Sequence, residues 1–433
     1  MARFLVGSTP LMGHVVPVEP IVAALGERGH EVRWYTGKRF RQHVEDTGAS
    51  FEEMRLAPDL SESPLNEQFP ERAGLTGLNH LKFDIKHLFG DPSVGYVHDL
   101  QEILRSFPAD VLLTDAPFVA GRWLHEIGGL SWAVINPFAV SFRSRDVPPF
   151  GLGMKPPASR FGRVEIALLN AIAKRYLYRD TTEHLNRLRR RLGLPADDDV
   201  FWDHIVSPYL FLQGSYRGLE YPRSDLPPQF HHVGPLVTQS TPPFNPPDWW
   251  PEVQFGTTVI HVTQGTLSND PEQLLMPAIR ALADETALVV VTTGRDDVNH
   301  LTESSLPENV RVASFLPYGH LLPHVDLMIT NGGYNGVQVA LSYGIPLVVA
   351  GRTEDKPEVC ARVEWSGVGV DLGTESPSEE QIRRAVQQVL HDQRFRERAG
   401  EMAAEYRNSN AAVESAELLE VLAKTGESVV AKS

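Results

Sequence analysis

Asn331-Gly332-Gly333-Tyr334-Asn335-Gly336 has the composition of an anion site. The run follows apolar Leu327-Met328-Ile329 and precedes Val337, Ala340 and Leu341 at helical spacing, with Gly344 as a stop. Strand, glycine turn and helix N-terminus together offer free backbone N–H groups and the positive end of a helix dipole. Glycine lets phosphate oxygens approach that backbone closely. The same residues also fit an ordinary tight turn. Two further candidates lie in the first half, each on its own strand end. His14 ends the loop Gly7-Ser8-Thr9-Pro10-Leu11-Met12-Gly13 after strand-like Phe4-Leu5-Val6, and Asp115 ends the apolar run Val111-Leu112-Leu113-Thr114. Histidine titrates near neutral pH and can accept a proton, and ligand-facing residues of α/β sheets lie at the C-terminal ends of strands. Residue type alone leaves His14 open as a turn histidine and Asp115 as a helix N-cap.

The elements that must position these residues alternate. Val18, Ile21, Val22 and Leu25 are spaced for a helix that ends at Arg28-Gly29, and Val32 to Thr36 reads as the second strand of a βαβ unit. A dinucleotide site would place an acidic residue at the end of that strand; Thr36-Gly37 stands there instead, and the first loop lacks G-x-G-x-x-G. Leu56 to Pro92 reads as a long irregular segment carrying Phe69, Phe83 and Phe89, and Trp132 to Asn136 as a strand leading to Phe138, Phe142 and Phe150. Long aromatic loops suit a greasy ligand, which makes Phe83, Phe89, Phe138 and Phe142 candidates for contacting an apolar substrate. Residues 218–251 are rich in proline and read as a semi-rigid linker. The alternation then restarts, with Val259 to Val262 broken by Gln264-Gly265-Thr266, Leu288 to Thr292, Val310 to Val312, and the glycine turn. Four parts result: an N-terminal α/β domain over 1–217, the linker 218–251, a C-terminal α/β domain over 252–400, and a helix in 401–433 that returns to the N-terminal domain with a frayed tail.

With 433 residues, 42% hydrophobic and 22% charged, the chain has material for two soluble cores. A net charge of −15 speaks against nucleic acid and anionic membranes as partners. The single cysteine, Cys360, excludes an internal disulfide and fits a reducing cytosol. No stretch reaches the ~18 apolar residues of a membrane span, so a cytoplasmic protein without stable membrane insertion is expected.

Several motifs together resemble the GT-B natural-product glycosyltransferases, the group that holds macrolide, glycopeptide and flavonoid enzymes. They are G-H-V-V-P (Gly13 to Pro17), L-x-x-R-G-H-E-V (Leu25 to Val32), V-T-Q-G-T (Val262 to Thr266), F-L-P-Y (Phe315 to Tyr318), N-G-G-Y-N-G, and G-I-P-L-V-V (Gly344 to Val349) running on to Asp355-Lys356. The resemblance implies an α/β fold of two Rossmann-like domains facing across a cleft. It makes His14 the general base and Asp115 the carboxylate that orients it. Thr263, Gly265 and Thr266 match the loop beside the diphosphate and sugar. Phe315 stands where a stacking Trp is usual, and Leu316 contacts the base through its backbone. Gly332, Gly333, Asn335 and Gly336 match the phosphate cradle, and Asp355 the acid that binds sugar hydroxyls. Four positions depart from the pattern: Asn331 replaces a His, Val339 a Glu that bridges the ribose hydroxyls, Lys356 a Gln that touches the sugar, and Tyr318 another Gln.

The resemblance further implies an inverting, metal-independent transferase with no cofactor. It would move a sugar from a UDP- or dTDP-linked donor to a hydroxyl of an apolar aromatic or polyketide acceptor, as a monomer or homodimer. A nucleotide-sugar epimerase of the same fold and a non-catalytic nucleotide-sugar-binding protein remain the alternatives.

Overall fold

A computed structural model describes residues 1–431 apart from 160, 238, 240, 255, 266–269 and 295–305. Thirteen strands form two sheets among the described residues, and every strand pair in both is parallel. The first holds β1 (Arg3–Gly7), β2 (Glu31–Thr36), β3 (Ser50–Glu53), β4 (Val111–Asp115), β5 (Trp132–Asn136), β6 (Leu210–Gln213) and β7 (Phe230–His232). Their order is β3-β2-β1-β4-β5-β6-β7. The second holds β8 (Val259–Thr263), β9 (Leu288–Thr292), β10 (Val310–Ala313), β11 (Leu327–Thr330), β12 (Leu347–Val349) and β13 (Gly369–Asp371), in the order β10-β9-β8-β11-β12-β13. The inner strands read as unbroken apolar runs because helices cover both faces of a parallel sheet, and β4, β5, β6, β8, β9 and β11 are buried along their whole length.

Each sheet reverses its winding once, between β1 and β4 in the first and between β8 and β11 in the second. Loops leaving the C-terminal ends of such a pair diverge and open a crevice, which is where ligands bind in open α/β sheets. The registers Gly7↔Thr114 and Thr263↔Thr330 bring the first loop beside Asp115 and the Gln264-Gly265 loop beside Asn331.

One compact unit comprises Met1–Arg217, Tyr221–Leu236 and Ser409–Ser433; the other comprises Gly218–Glu220 and Val237–Asn408. The chain thus enters the first core a last time at its C-terminus. Ala416, Leu419 and Leu422 of the helix Ala411–Thr425 are buried with Ile21, Val22 and Leu25 of the helix Glu19–Glu27. At the rim of that contact, Arg28 donates two hydrogen bonds of 2.8 Å to Glu420.

Two segments differ from the reading of the sequence. Residues 56–92 are largely helical, in short pieces at Leu65–Gln68, Pro70–Gly74, Gly77–Asp84 and a π-turn at Ile85–Gly90. The pieces before Gly77 are too short for a helical period to show, and from Gly77 the run passes from α-helix to π-turn at Ile85, which changes the spacing of its buried side chains. Within the proline-rich stretch, Phe230–His232 forms the edge strand β7, and Tyr221–Leu236 belongs to the first unit rather than to a spacer. An edge strand tolerates neighbouring prolines because one side of it needs no ladder partner.

His261 makes the second sheet sensitive to acid. It is fully buried in the middle of β8, where its Nδ1–H donates to the Val290 carbonyl at 3.0 Å, and burial pushes the imidazole down to about 4. The unfolded chain takes up this proton near pH ~6.5 while the folded one resists, so stability is intact above pH ~6.5 and falls as the pH drops toward 4, by roughly 3 kcal/mol in total. His232 at the end of β7, pushed by burial to about 3, adds to the same acid limb. Thermal midpoints of wild type and His261→Gln measured from pH 7 to pH 4 should converge on acidification, the variant showing the shallower slope.

Candidate functional site

The loop after β1 is fixed before it reaches His14. Ser8 N–H donates to the Tyr35 carbonyl at 3.1 Å, Trp34 Nε1–H to Ser8 Oγ at 2.9 Å, and Thr36 Oγ1–H to the Ser8 carbonyl at 3.2 Å. The chain then turns into the short helix Met12–Val15, where His14 and Val15 N–H both donate to the Leu11 carbonyl. His14 is thereby buried with its Nδ1 2.6 Å from Asp115 Oδ2. Asp115 also accepts from Thr9 N–H at 2.8 Å on Oδ1 and from Thr9 Oγ1–H at 3.2 Å on Oδ2. A carboxylate facing Nδ1 places the ring proton there, which leaves Nε2 with a lone pair and the capacity to take a proton from a hydroxyl.

Two of the four candidate phenylalanines meet this imidazole. The Phe138 ring centroid lies 4.7 Å from that of His14, and the Phe89 centroid 5.8 Å. The other two do not. Phe83 packs on Phe69 and His87, and Phe142 is buried against Phe211 and Phe230 with the Arg223 guanidinium over its face. The loop after β5 carries Phe138 forward to His14 but turns Phe142 back under the last strands, a reversal that residue type does not encode. Phe138 is held by its backbone. Its carbonyl accepts from Asn136 Nδ2 at 3.1 Å and Gln213 Nε2 at 2.7 Å, and Asn136 Nδ2 also donates to Gln213 Oε1 at 2.8 Å. Residue type did not single out Thr9, Asn136 or Gln213. Asn136 and Gln213 carry the signal that picked out Asp115, a polar residue closing an apolar strand.

In the second unit the glycine turn follows β11, and the helix runs from Tyr334 to Ser342 with Gly333 at its N-cap. Asn335 and Gly336 therefore lie in its first turn. A Cβ on Gly336 would meet nothing within 4 Å, and one on Gly333 only Asn331 Oδ1 at 3.7 Å, so the backbone is open to an approaching group. Gly332 differs: its φ is +80°, and a Cβ would lie 2.7 Å from the Cys360 sulfur. Asn331 binds protein at both ends of its amide, Nδ2 donating to the Gln264 carbonyl and Oδ1 accepting from Gly333 N–H at 3.3 Å. It joins the loop after β8 to the turn after β11. In the β8 loop, Thr263 is bonded through its side chain to Tyr318, and Gly265 takes φ +71° with open space around its Cα. Thr266 lies outside the described residues.

The Phe315 ring is 73% exposed while neighbouring Leu316 is buried. Asp355 is the N-cap residue of the helix Lys356–Ser366 and makes no capping bond with its side chain. Lys356 is buried, with its ammonium on the Glu354 carboxylate and 3.4 Å from Thr353 Oγ1. Glu354 itself takes φ +57°, the one non-glycine with positive φ among the described residues. A buried set that the sequence did not reveal supports both helix starts. Tyr334 donates to Glu220 Oε1 at 2.9 Å, and Arg362 donates to Glu220 Oε2 at 3.2 Å and Glu358 Oε2 at 2.9 Å.

The one Asp-x-Asp of the chain, Asp197 to Asp199, is in the first unit. Asp197 pairs with Arg122, Arg189 and His204, and Asp199 with Arg122. No group of three or more His, Cys, Asp or Glu among the described residues could hold a metal ion.

The chain has relatives among known proteins. Residues 274–422 match the family described as erythromycin biosynthesis protein CIII-like, C-terminal domain. The chain is 47% identical over 422 residues to a 4'-demethylrebeccamycin synthase of Lentzea aerocolonigenes, covering 97% of this chain and 99% of the relative. It is 30% identical over 435 residues to UDP-glucosyltransferase A1 of Starmerella bombicola, covering 98% and 93%. Among solved structures, the glycotransferase of kitacinnamycin superposes with a TM-score of 0.75 at 20% identity, over 97% of this chain and 98% of that one, a likeness of fold.

The contact between Gly332 and Cys360 yields a test of the turn. Burial, with Asp371 adding to it, pushes the Cys360 thiol up to about 12, so folded protein should resist iodoacetamide at pH 8. Gly332→Ala combines an unfavourable φ with the clash on sulfur and should lower stability by about 1–3 kcal/mol, with Cys360 alkylation accelerated. Mass spectrometry of the alkylated pool, beside a thermal scan, reads both effects.

Proposed function

The chain belongs to the GT-B natural-product glycosyltransferases, and on that premise we propose that it is an inverting enzyme using a UDP- or dTDP-linked sugar and an apolar, hydroxylated acceptor of aromatic or polyketide type. The observation that carries the reading is the Thr9–Asp115–His14 chain of hydrogen bonds. His14 Nε2 takes the proton of the acceptor hydroxyl as its oxygen attacks the anomeric carbon, and the diphosphate leaves from the opposite face. Asp115 stays ionised and stabilises the imidazolium. A single displacement of this kind inverts the anomeric centre. Phe89 and Phe138 beside the imidazole suit an apolar acceptor.

The donor side is served by Gly333, Asn335 and Gly336 at the start of the helix Tyr334–Ser342, with Thr263 and Gly265 alongside and Asn331 tying the two loops. Their N–H groups and the helix dipole are suited to the charge that develops on the leaving diphosphate without a metal ion. Phe315 offers its ring to the base, and Asp355 its carboxylate to sugar hydroxyls. Lys356 acts through Glu354 rather than as a direct sugar contact. A UDP-glucosyltransferase among the relatives supports a nucleotide-sugar donor and disfavours the epimerase and non-catalytic readings.

His14→Ala should lower turnover by roughly 10²–10⁴-fold with nucleotide affinity nearly unchanged. Full activity in this variant would remove His14 from the chemistry, and loss of activity in EDTA restored by Mg²⁺ would overturn metal independence. Val339 concerns the donor. An apolar side chain makes no hydrogen bond to a ribose 2′-hydroxyl, and a hydroxyl buried unpaired costs about 1–3 kcal/mol. Calorimetry should find UDP bound no more than about tenfold more tightly than dTDP; a preference for UDP above about a hundredfold would contradict it.

A further inference from the structure

The helix Gly162–Ile172 continues into the π-helical turn Ala173–Leu177. One side of it is buried through Ile166 and Ala173. The other side exposes Val164 (71%), Leu168 (62%), Ile172 (47%) and Tyr176 (73%), each four residues from the last, with Phe161 exposed one turn before. Small Ala167 and Ala171 are exposed between them. Scattered apolar residues on a surface mean little, but a continuous row along four turns of helix marks an interaction face.

We propose that this face pairs antiparallel with the same face of a second copy of the chain, about a two-fold axis at Leu168. The spacing itself points to a second copy. Counted from Leu168, Val164 stands four residues before and Ile172 four after, and Phe161 and Tyr176 close the two ends. An antiparallel pair therefore sets Leu168 on Leu168, Val164 on Ile172 twice, and Phe161 beside Tyr176 twice, which is the self-complementarity of an isologous interface. The size is sufficient. Five side chains offering on the order of 100 Å² each present about 500 Å² per copy, so two copies bury about 1,000 Å² before the alanines are counted, where specific interfaces begin.

Sedimentation velocity on the full chain tests this, because a residue on the axis meets itself. Wild type should sediment at twice the chain mass at micromolar concentration. L168E and L168K should each sediment as monomers, with dimer dissociation constants raised at least about a hundredfold and circular dichroism unchanged, since like charges meet at the axis. An equimolar mixture of the two variants should restore the dimer. The proposal is overturned by a wild type that stays monomeric up to about 100 µM, with or without flotation on phosphatidylcholine vesicles. It is equally overturned by a dimer that survives in both variants, or by a mixture that stays monomeric.

Discussion

A carboxylate as deeply buried as that of Asp115, 1% exposed, keeps its charge only if hydrogen bonds replace the water it has lost. Here the replacement is complete in a small space: Thr9 supplies a backbone N–H and a hydroxyl, and His14 supplies Nδ1–H. Those bonds require the loop after β1 to pass directly over the end of β4, which only adjacent parallel strands allow. The requirement spreads outward. Trp34, Tyr35 and Thr36 at the end of β2 clamp Ser8, so the second strand of the unit fixes the loop that fixes the carboxylate. One buried charge thus links three strands of the sheet to the orientation of one imidazole.

The second unit repeats the layout without a central charge. Its two loops are joined by the neutral amide of Asn331, between the Gln264 carbonyl and Gly333 N–H. A neutral amide puts no fixed charge of its own between the two loops, where a carboxylate would repel an approaching anion. Glu220, Glu358 and Arg362 are buried behind the helix starts, where the one guanidinium pairs with both carboxylates. They act on the turn through Tyr334, the first residue of its helix.

The range of each interaction decides how much of it the sequence discloses. The strands were legible because full burial on both faces writes continuous apolar runs, and the glycine turn because Gly332 must take a positive φ. His14 and Asp115 were legible as a pair only through the resemblance, since they are 101 residues apart and their hydrogen bond is a product of strand order. Contacts between loops were not legible. Phe138 and Phe142 stand in one loop with similar side chains, yet one reaches His14 and the other joins Phe211 and Phe230, and the difference is made by the amides of Asn136 and Gln213. Glu220 was hidden for the same reason: it falls in the proline-rich stretch, yet it is the partner of Tyr334 and Arg362. Lys356 was legible as a departure from the family pattern, but not its capture by Glu354.

The central claim is that Asp115 holds the neutral His14 ring with its proton on Nδ1, so that Nε2 faces the acceptor as a base. Nitrogen NMR of protein labelled in its histidine rings observes this directly. At a pH where His14 is neutral, Nδ1 should give the shift of a protonated ring nitrogen and Nε2 that of an unprotonated one. Asp115→Asn, which offers an amide in place of the carboxylate, should shift the population toward the other tautomer. A wild-type ring carrying its proton on Nε2, or a tautomer balance indifferent to Asp115→Asn, would contradict the account.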